Sequence, residues 1–186
     1  MKISACYIVK NEQENIRRSI ASLRNQYDEL IVVDTGSDDG TADVVRSLGG
    51  KVFAYEWQDD FSAARNFALQ KAAGDWLIFL DADEYFTADT AGNLQRVLEM
   101  ASPEADGLLV DIVNFDVDTG EVQNHFYQAR IFRNQQGLHY EGIIHEMPGL
   151  QSGENLRFQR ISSDLLQIYH TGYRSTLSKE KAERNL

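Results

Sequence analysis

The sequence predicts an α/β fold built on one mostly parallel sheet, flanked by helices and followed by a β-rich second half. Three observations carry this. Over the first hundred residues short apolar runs alternate with helical patterns, and several of these runs end abruptly in polar or acidic residues. After about residue 104 the helical patterns stop and strand patterns follow one another. The composition, 42% hydrophobic and 25% charged over 186 residues, is that of a globular chain. A chain of this length buries roughly 70% of its extended surface, enough for one sizeable core.

Ile3 to Val9 reads as the first strand. Asn11, with Glu14 three residues later, is placed to cap a helix carrying Ile16, Ile20 and Leu23 on one face. Leu30 to Val33 is a continuous apolar run, as expected of a strand covered on both sides, and residues 34–41 are dense in turn formers. A short helix with Val44, Val45 and Leu48 inward stops at Gly49-Gly50, and Lys51 to Tyr55 makes a third strand. Phe61, Ala64 and Ala68 mark a helix that Gly74 terminates, and Trp76 to Leu80 is a fourth strand. Strand–helix–strand repeated in this way implies right-handed crossovers. In the second half, Gly107 to Val113, Glu121 to Arg133, Leu138 to Met147 and Asp164 to His170 read as strands, with residues 118–120 and 134–137 as hairpin turns. No Pro/Gly/Ser linker separates the halves, so one domain is expected, divided into residues 1–104 and 105–174. Residues 175–186 are polar and helix-favouring, and read as the start of a further helix.

Eighteen Lys and Arg stand against 29 Asp and Glu, a formal charge of −11. Such a chain repels phosphate backbones and anionic lipid, which excludes a general nucleic-acid binder, and clustered carboxylates favour a bound cation. The single cysteine, Cys6, lies in an apolar stretch, reads as a core thiol and leaves no intramolecular disulfide. The N-terminus lacks a secretory pattern and no apolar run approaches the roughly 20 residues that span a bilayer, so a cytoplasmic protein without a transmembrane segment is expected.

In an open parallel sheet, ligands bind beyond the carboxyl ends of the strands. There the first strand delivers Lys10-Asn11-Glu12, the second Asp34 and the fourth Asp81-Ala82-Asp83. Asp81 and Asp83, one residue apart after a buried strand, repel each other when both ionise. A divalent cation with oxygen-seeking chemistry, Mn²⁺ or Mg²⁺, removes that cost and suits a metal–diphosphate complex; a solvated acidic turn is the competing reading. No Gly-rich phosphate loop and no dinucleotide fingerprint is present, which leaves phosphates to the cation and to a nearby base such as Arg65. Arg65 lies off the apolar stripe of its helix, and reads equally as a surface ion-pair partner. All four histidines fall in the second half. His145-Glu146 and His170 end apolar strands, where imidazole can ligate Mn²⁺ and Glu146 can take a proton from an attacking hydroxyl or thiol. His125 and His139 read as structural.

Four ordered motifs, Ile8-Val9-Lys10-Asn11-Glu12, Val32 to Thr41, Asp60 to Asn66 and Leu80-Asp81-Ala82-Asp83-Glu84, together resemble the family 2 glycosyltransferases of the GT-A fold, in a bacterial glucosyltransferase-like branch. Tyr140 to Glu146 and Tyr169-His170-Thr171-Gly172-Tyr173 are similar to the same branch, whose members often continue into helical repeats. The resemblance implies an inverting, metal-dependent enzyme moving a sugar from a nucleotide diphosphate donor, a UDP-sugar, to an acceptor left open among glycan, lipid-linked sugar and peptide. It implies that Ile8, Lys10, Glu12, Asp34 and Arg65 surround the base and that Asp81 lies near ribose and metal. It also implies Asp83 as the main ligand of Mn²⁺ or Mg²⁺, His170 as a further ligand, and Glu146 as the base. Two rival readings remain at this point: a non-catalytic nucleotide-sugar-binding module, and a haloacid dehalogenase-type phosphohydrolase with Asp81 as nucleophile.

Overall fold

A computed structural model describes residues 1–143 and 146–172 of the chain. Its first half alternates β1 (Ile3–Val9), α1 (Gln13–Ser22), β2 (Glu29–Asp34), α2 (Thr41–Ser47), β3 (Lys51–Ala54), α3 (Phe61–Lys71) and β4 (Trp76–Phe79). A short strand β5 (Glu84–Phe86) and a helix α4 (Leu94–Glu99) lead into β6 (Gly107–Phe115), β7 (Val122–Arg133), β8 (Leu138–Glu141), β9 (Met147–Leu150), β10 (Phe158–Arg160) and β11 (Gln167–His170). One nine-stranded sheet runs β3-β2-β1-β4-β7-β6-β11-β5, with β10 pairing β6. The four strands of the first half are parallel, whereas β7 is antiparallel to both β4 and β6, so the sheet is mixed and continuous across both halves.

Alternation along the strands explains the layers. Ile3, Ala5, Tyr7 and Val9 of β1 join Leu30, Val32 and Ile78 on one face, which α1, α2 and α4 cover through Ile16, Ile20, Val45, Leu94 and Val97. Cys6, Ile31, Val33, Leu77 and Phe79 take the other face and pack with Ala68 of α3, Phe132 and Tyr140. Both faces are therefore apolar, which is why the strands read as unbroken hydrophobic runs rather than an alternation. Each fully buried Leu, Ile or Phe here contributes on the order of 1.5–3 kcal/mol. No described helix is long and apolar enough to cross a membrane.

Three local expectations are revised. Asn11 does not cap α1: its φ of 56° turns its side chain to the 34–41 loop, where Oδ1 accepts from the Asp38 amide at 2.9 Å. The residue before α1 is Glu12, which makes no side-chain cap. The helix α3 starts at the expected place because the Asp60 side chain accepts from the Ala63 amide, but it ends at Lys71, three residues before Gly74. Leu138 to Met147 is not one strand. It is two strands, β8 and β9, which pair antiparallel with Glu141 opposite Met147, and Gly142, just past β8, has a φ of 98°. The helix expected over 175–186 lies outside the described residues, as does His145.

Candidate active site

The carboxyl ends of the parallel strands converge as expected. Ile8 on β1, Arg65 on α3, Asp81 just past β4, Gln128 on β7, and Glu146 and Met147 line a cavity of about 510 Å³ together with Phe61. A second cavity of about 360 Å³ is lined by Asp34, Gly36, Ser37, Ala54, Tyr55 and Glu56, at the ends of β2 and β3. Asp34 organises its own turn: Oδ1 accepts from the amides of Gly36 at 3.1 Å and Ser37 at 2.8 Å, and Gly36 supplies the φ of 104° that the turn requires. Lys10 is exposed beyond β1, and the Glu12 amide donates to Thr41 Oγ1 at 2.8 Å. Neither is among the described residues lining the two cavities.

Arg65 is no surface residue. Only 7% of its side chain is exposed, and its guanidinium joins two carboxylates, Nε donating to Glu146 Oε1 at 2.8 Å and Nη2 to Asp81 Oδ1 at 3.2 Å. The aromatic rings of Phe79 and Tyr140, each 5.5 Å from the guanidinium carbon, hold it in place. The other Asp81 oxygen accepts from Arg130 at 3.0 Å, and Arg130 also donates to Glu84, which is 1% exposed. Glu146, Arg65, Asp81, Arg130 and Glu84 thus form one chain of alternating charge that runs from the cavity lining, through Asp81, to the buried Glu84.

Arg130 and Glu84 are absent from the sequence-based site. The reason Arg130 reaches it is a bulge: the β6–β7 register steps from Leu108–Ile131 to Leu109–Ala129, leaving Arg130 unmatched. Beyond Ile78–Ile131 the strands β4 and β7 no longer pair, and Asp81 sits in the opening. A lone arginine in a strand carries no such signal in the sequence.

The charges set each other's titration. Burial works to raise the Asp81 carboxyl, but Arg130 and Arg65 outweigh it and bring it down to about 2. Burial pushes Glu84 up, the Asp81 charge adds to this, and Arg130 opposes without reversing it. Asp81 is therefore an ionised carboxylate already compensated by two arginines, and the mutual repulsion expected of Asp81 and Asp83 is relieved by protein cations. A carboxylate held in that way is a poor nucleophile, so the phosphohydrolase reading has no support in this geometry.

Asp83 stands apart from that network. Its Oδ2 lies 3.4 Å from His170 Nε2, and its carbonyl accepts from the Thr171 amide and hydroxyl, each at 3.0 Å. Burial lowers the basicity of His170, but the facing Asp83 carboxylate, helped by the charges of Glu84 and Asp81, raises the imidazole above its ordinary value. A Cβ at position 172 would collide with Asp83 Oδ2 and lie 2.8 Å from His170 Nε2, so only glycine leaves both head groups where they are. Among the described residues no group of three or more His, Cys, Asp or Glu is gathered into a complete cage. An oxygen and a nitrogen donor aimed at each other fit a cation that takes two ligands from protein and the rest from a diphosphate and water.

This arrangement can be compared with known proteins. A family description, glycosyl transferase family 2, matches residues 4–154. The chain belongs to that family. Among curated relatives, the TPR repeat-containing protein Synpcc7942_0270 of Synechococcus elongatus is 38% identical over 78% of this chain and 35% of its own length. The SPbeta prophage-derived glycosyltransferase SunS of Bacillus subtilis is 31% identical over 99% of this chain and 43% of its own. The chain thus spans well under half the length of either. Among solved structures, S. aureus TarS 1-349 superposes with a TM-score of 0.67 over 92% of this chain and 60% of that 1-349 chain, at 19% identity. The same protein in complex with UDP-GlcNAc gives 0.54 over 63% of this chain and 36% of TarS, at 24% identity. These likenesses establish the GT-A fold for this family 2 chain.

Proposed function

We propose that this chain is the donor-binding and catalytic domain of a metal-dependent, inverting glycosyltransferase that uses a UDP-sugar, with residues 1–104 forming the donor half and 105–174 the acceptor and catalytic half. The observation that carries the reading is the single guanidinium of Arg65 holding Asp81 and Glu146 on the floor of the larger cavity. One carboxylate from each half meets there, where a sugar donor and an acceptor have to meet. A UDP-sugar is favoured because TarS, of like fold, was solved with UDP-GlcNAc. Asp34 and Ile8, at the ends of neighbouring strands, offer the base a site beside Lys10 and Glu12. A cytoplasmic location belongs to the same proposal.

Asp83 and His170 would hold Mn²⁺ or Mg²⁺. When bound, the cation supplies positive charge to the departing diphosphate, an effect commonly worth several kcal/mol. Arg65, which lines the larger cavity, adds a fixed positive charge on the protein side. Glu146 takes the proton of the acceptor hydroxyl or thiol as that atom bonds to the anomeric carbon and the carbon–oxygen bond to the diphosphate breaks, which inverts the centre. A base placed in this way is worth about 10²- to 10⁴-fold.

Titration calorimetry with UDP-sugars, with and without Mn²⁺, together with a donor-hydrolysis assay, tests the proposal. Mn²⁺-dependent binding that Asp83→Ala abolishes, with sugar release by the native chain, is expected. Normal Mn²⁺-dependent affinity in Asp83→Ala would remove the metal role, and binding without any sugar release would favour a non-catalytic module.

A further inference from the structure

The strand registers place Asn124 on β7 opposite Asn114 on β6, and Asn114 beside His170 on β11. Residues matched across neighbouring strands share a sheet face, so these three side chains form a row that leads to Asp83. Asn114 is 3% exposed and both ends of its amide are used. Its Nδ2 donates to Asn124 Oδ1 at 2.7 Å, and its Oδ1 faces His170 Nδ1 at 2.8 Å. With the amide nitrogen turned to Asn124, the group that faces the imidazole is the oxygen, which can only accept. That oxygen requires Nδ1 to carry a proton. Nε2 is then the ring nitrogen that turns to Asp83 at 3.4 Å, where a bound cation would replace its proton and take its lone pair.

We infer that Asn114, oriented by Asn124, is a positioning residue that fixes His170 in the Nδ1-protonated tautomer and thereby aims the Nε2 lone pair at the cation site beside Asp83. The inference rests on the proposed metal site. The role needs an acceptor at position 114. An aspartate supplies one and an isosteric leucine does not. Outer partners of this kind hold the ring against rotation and strengthen the ligand atom, and losing one typically weakens metal binding 10- to 100-fold.

The test is Mn²⁺ binding to the chain in the presence of UDP, which supplies the ligands the protein does not, followed by calorimetry and by the electron paramagnetic resonance signal of free Mn²⁺. Asn114→Leu is expected to weaken binding 10- to 100-fold, and Asn114→Asp to bind at least as tightly as the native chain. Equal affinity in Asn114→Leu, or an equal loss in Asn114→Asp, overturns the inference while leaving the metal site standing. If the native chain binds no Mn²⁺, the metal reading itself falls, and the inference with it. Should Asn114→Leu fail to fold, Asn124→Ala at its exposed position carries the test. Without the Asn124 acceptor the Asn114 amide is free to turn over, so several-fold weaker binding is expected, and unchanged binding overturns the orientation argument.

Discussion

Arg65 and Glu146, 81 positions apart in the chain, meet through a 2.8 Å hydrogen bond from Nε to Oε1. The guanidinium fixes the Glu146 carboxylate at the cavity through one oxygen, and in the proposed role the other takes the substrate proton. Glu146→Gln preserves the acceptor oxygen for Arg65 but cannot take a proton. Its sugar transfer or donor hydrolysis should fall by about 10²- to 10⁴-fold with unchanged donor affinity and melting temperature. Steady-state kinetics beside a thermal melt checks this, and turnover within a few-fold of native would refute the assignment of the base.

Arg130 is the counter-charge for two carboxylates, one of them almost completely buried. Removing one partner of a buried ionic group leaves the other uncompensated, at a cost of about 3–5 kcal/mol. Urea unfolding of Arg130→Ala should show a loss of that size. Arg130→Met combined with Glu84→Gln should recover much of it, because the strongest uncompensated charge is gone.

The two carboxyls that share Arg130 respond to pH in opposite directions. Asp81 is held at about 2 in the fold, below its ordinary 3.8. Its contribution is complete above 3.8 and is lost as pH falls through about 2. Glu84 is raised above its ordinary 4.5, so its contribution is complete below 4.5 and shrinks as pH rises through its folded value. In denaturant titrations across the acid range, the native chain should therefore lose stability more steeply than Asp81→Asn between about pH 4 and pH 2. Parallel curves for the two proteins would show that Asp81 is not depressed.

Gly172→Ala separates function from stability. The atoms a new methyl would meet are the outer ends of two side chains, which can swing aside at little cost. A melting temperature within a few degrees of native is expected, with Mn²⁺ binding reduced at least tenfold because Asp83 and His170 no longer face each other. Unchanged Mn²⁺ affinity would place the cation elsewhere.

How far the sequence reveals these features depends on their range along the chain. The strands β1 to β4 are apolar runs punctuated by turn formers, and the cavities lie at their carboxyl ends. β5 and β10, of three residues each, and the six-residue α4 carry too little periodicity to register. Leu138 to Met147 divides into β8 and β9 just before Gly142, whose φ of 98° suits a glycine, but in sequence it is one glycine among 13. Asp81 and Asp83 look like a matched pair one residue apart, yet they serve different partners, because a turn after β4 sends one to the arginines and the other to His170.

By itself the sequence determined the α/β class, the edge of the sheet where the candidate residues gather and the family, since apolar runs, turns and ordered motifs are local and survive without knowledge of the fold. Only the tertiary structure decided which charge answers which. Asp81 finds Arg65 over 16 positions and Arg130 over 49, and His170 finds Asn114 over 56. Those pairings depend on strand register, on one bulge and on where two strands part. Such features arise from the packing of distant segments against each other and leave no trace in the neighbouring residues.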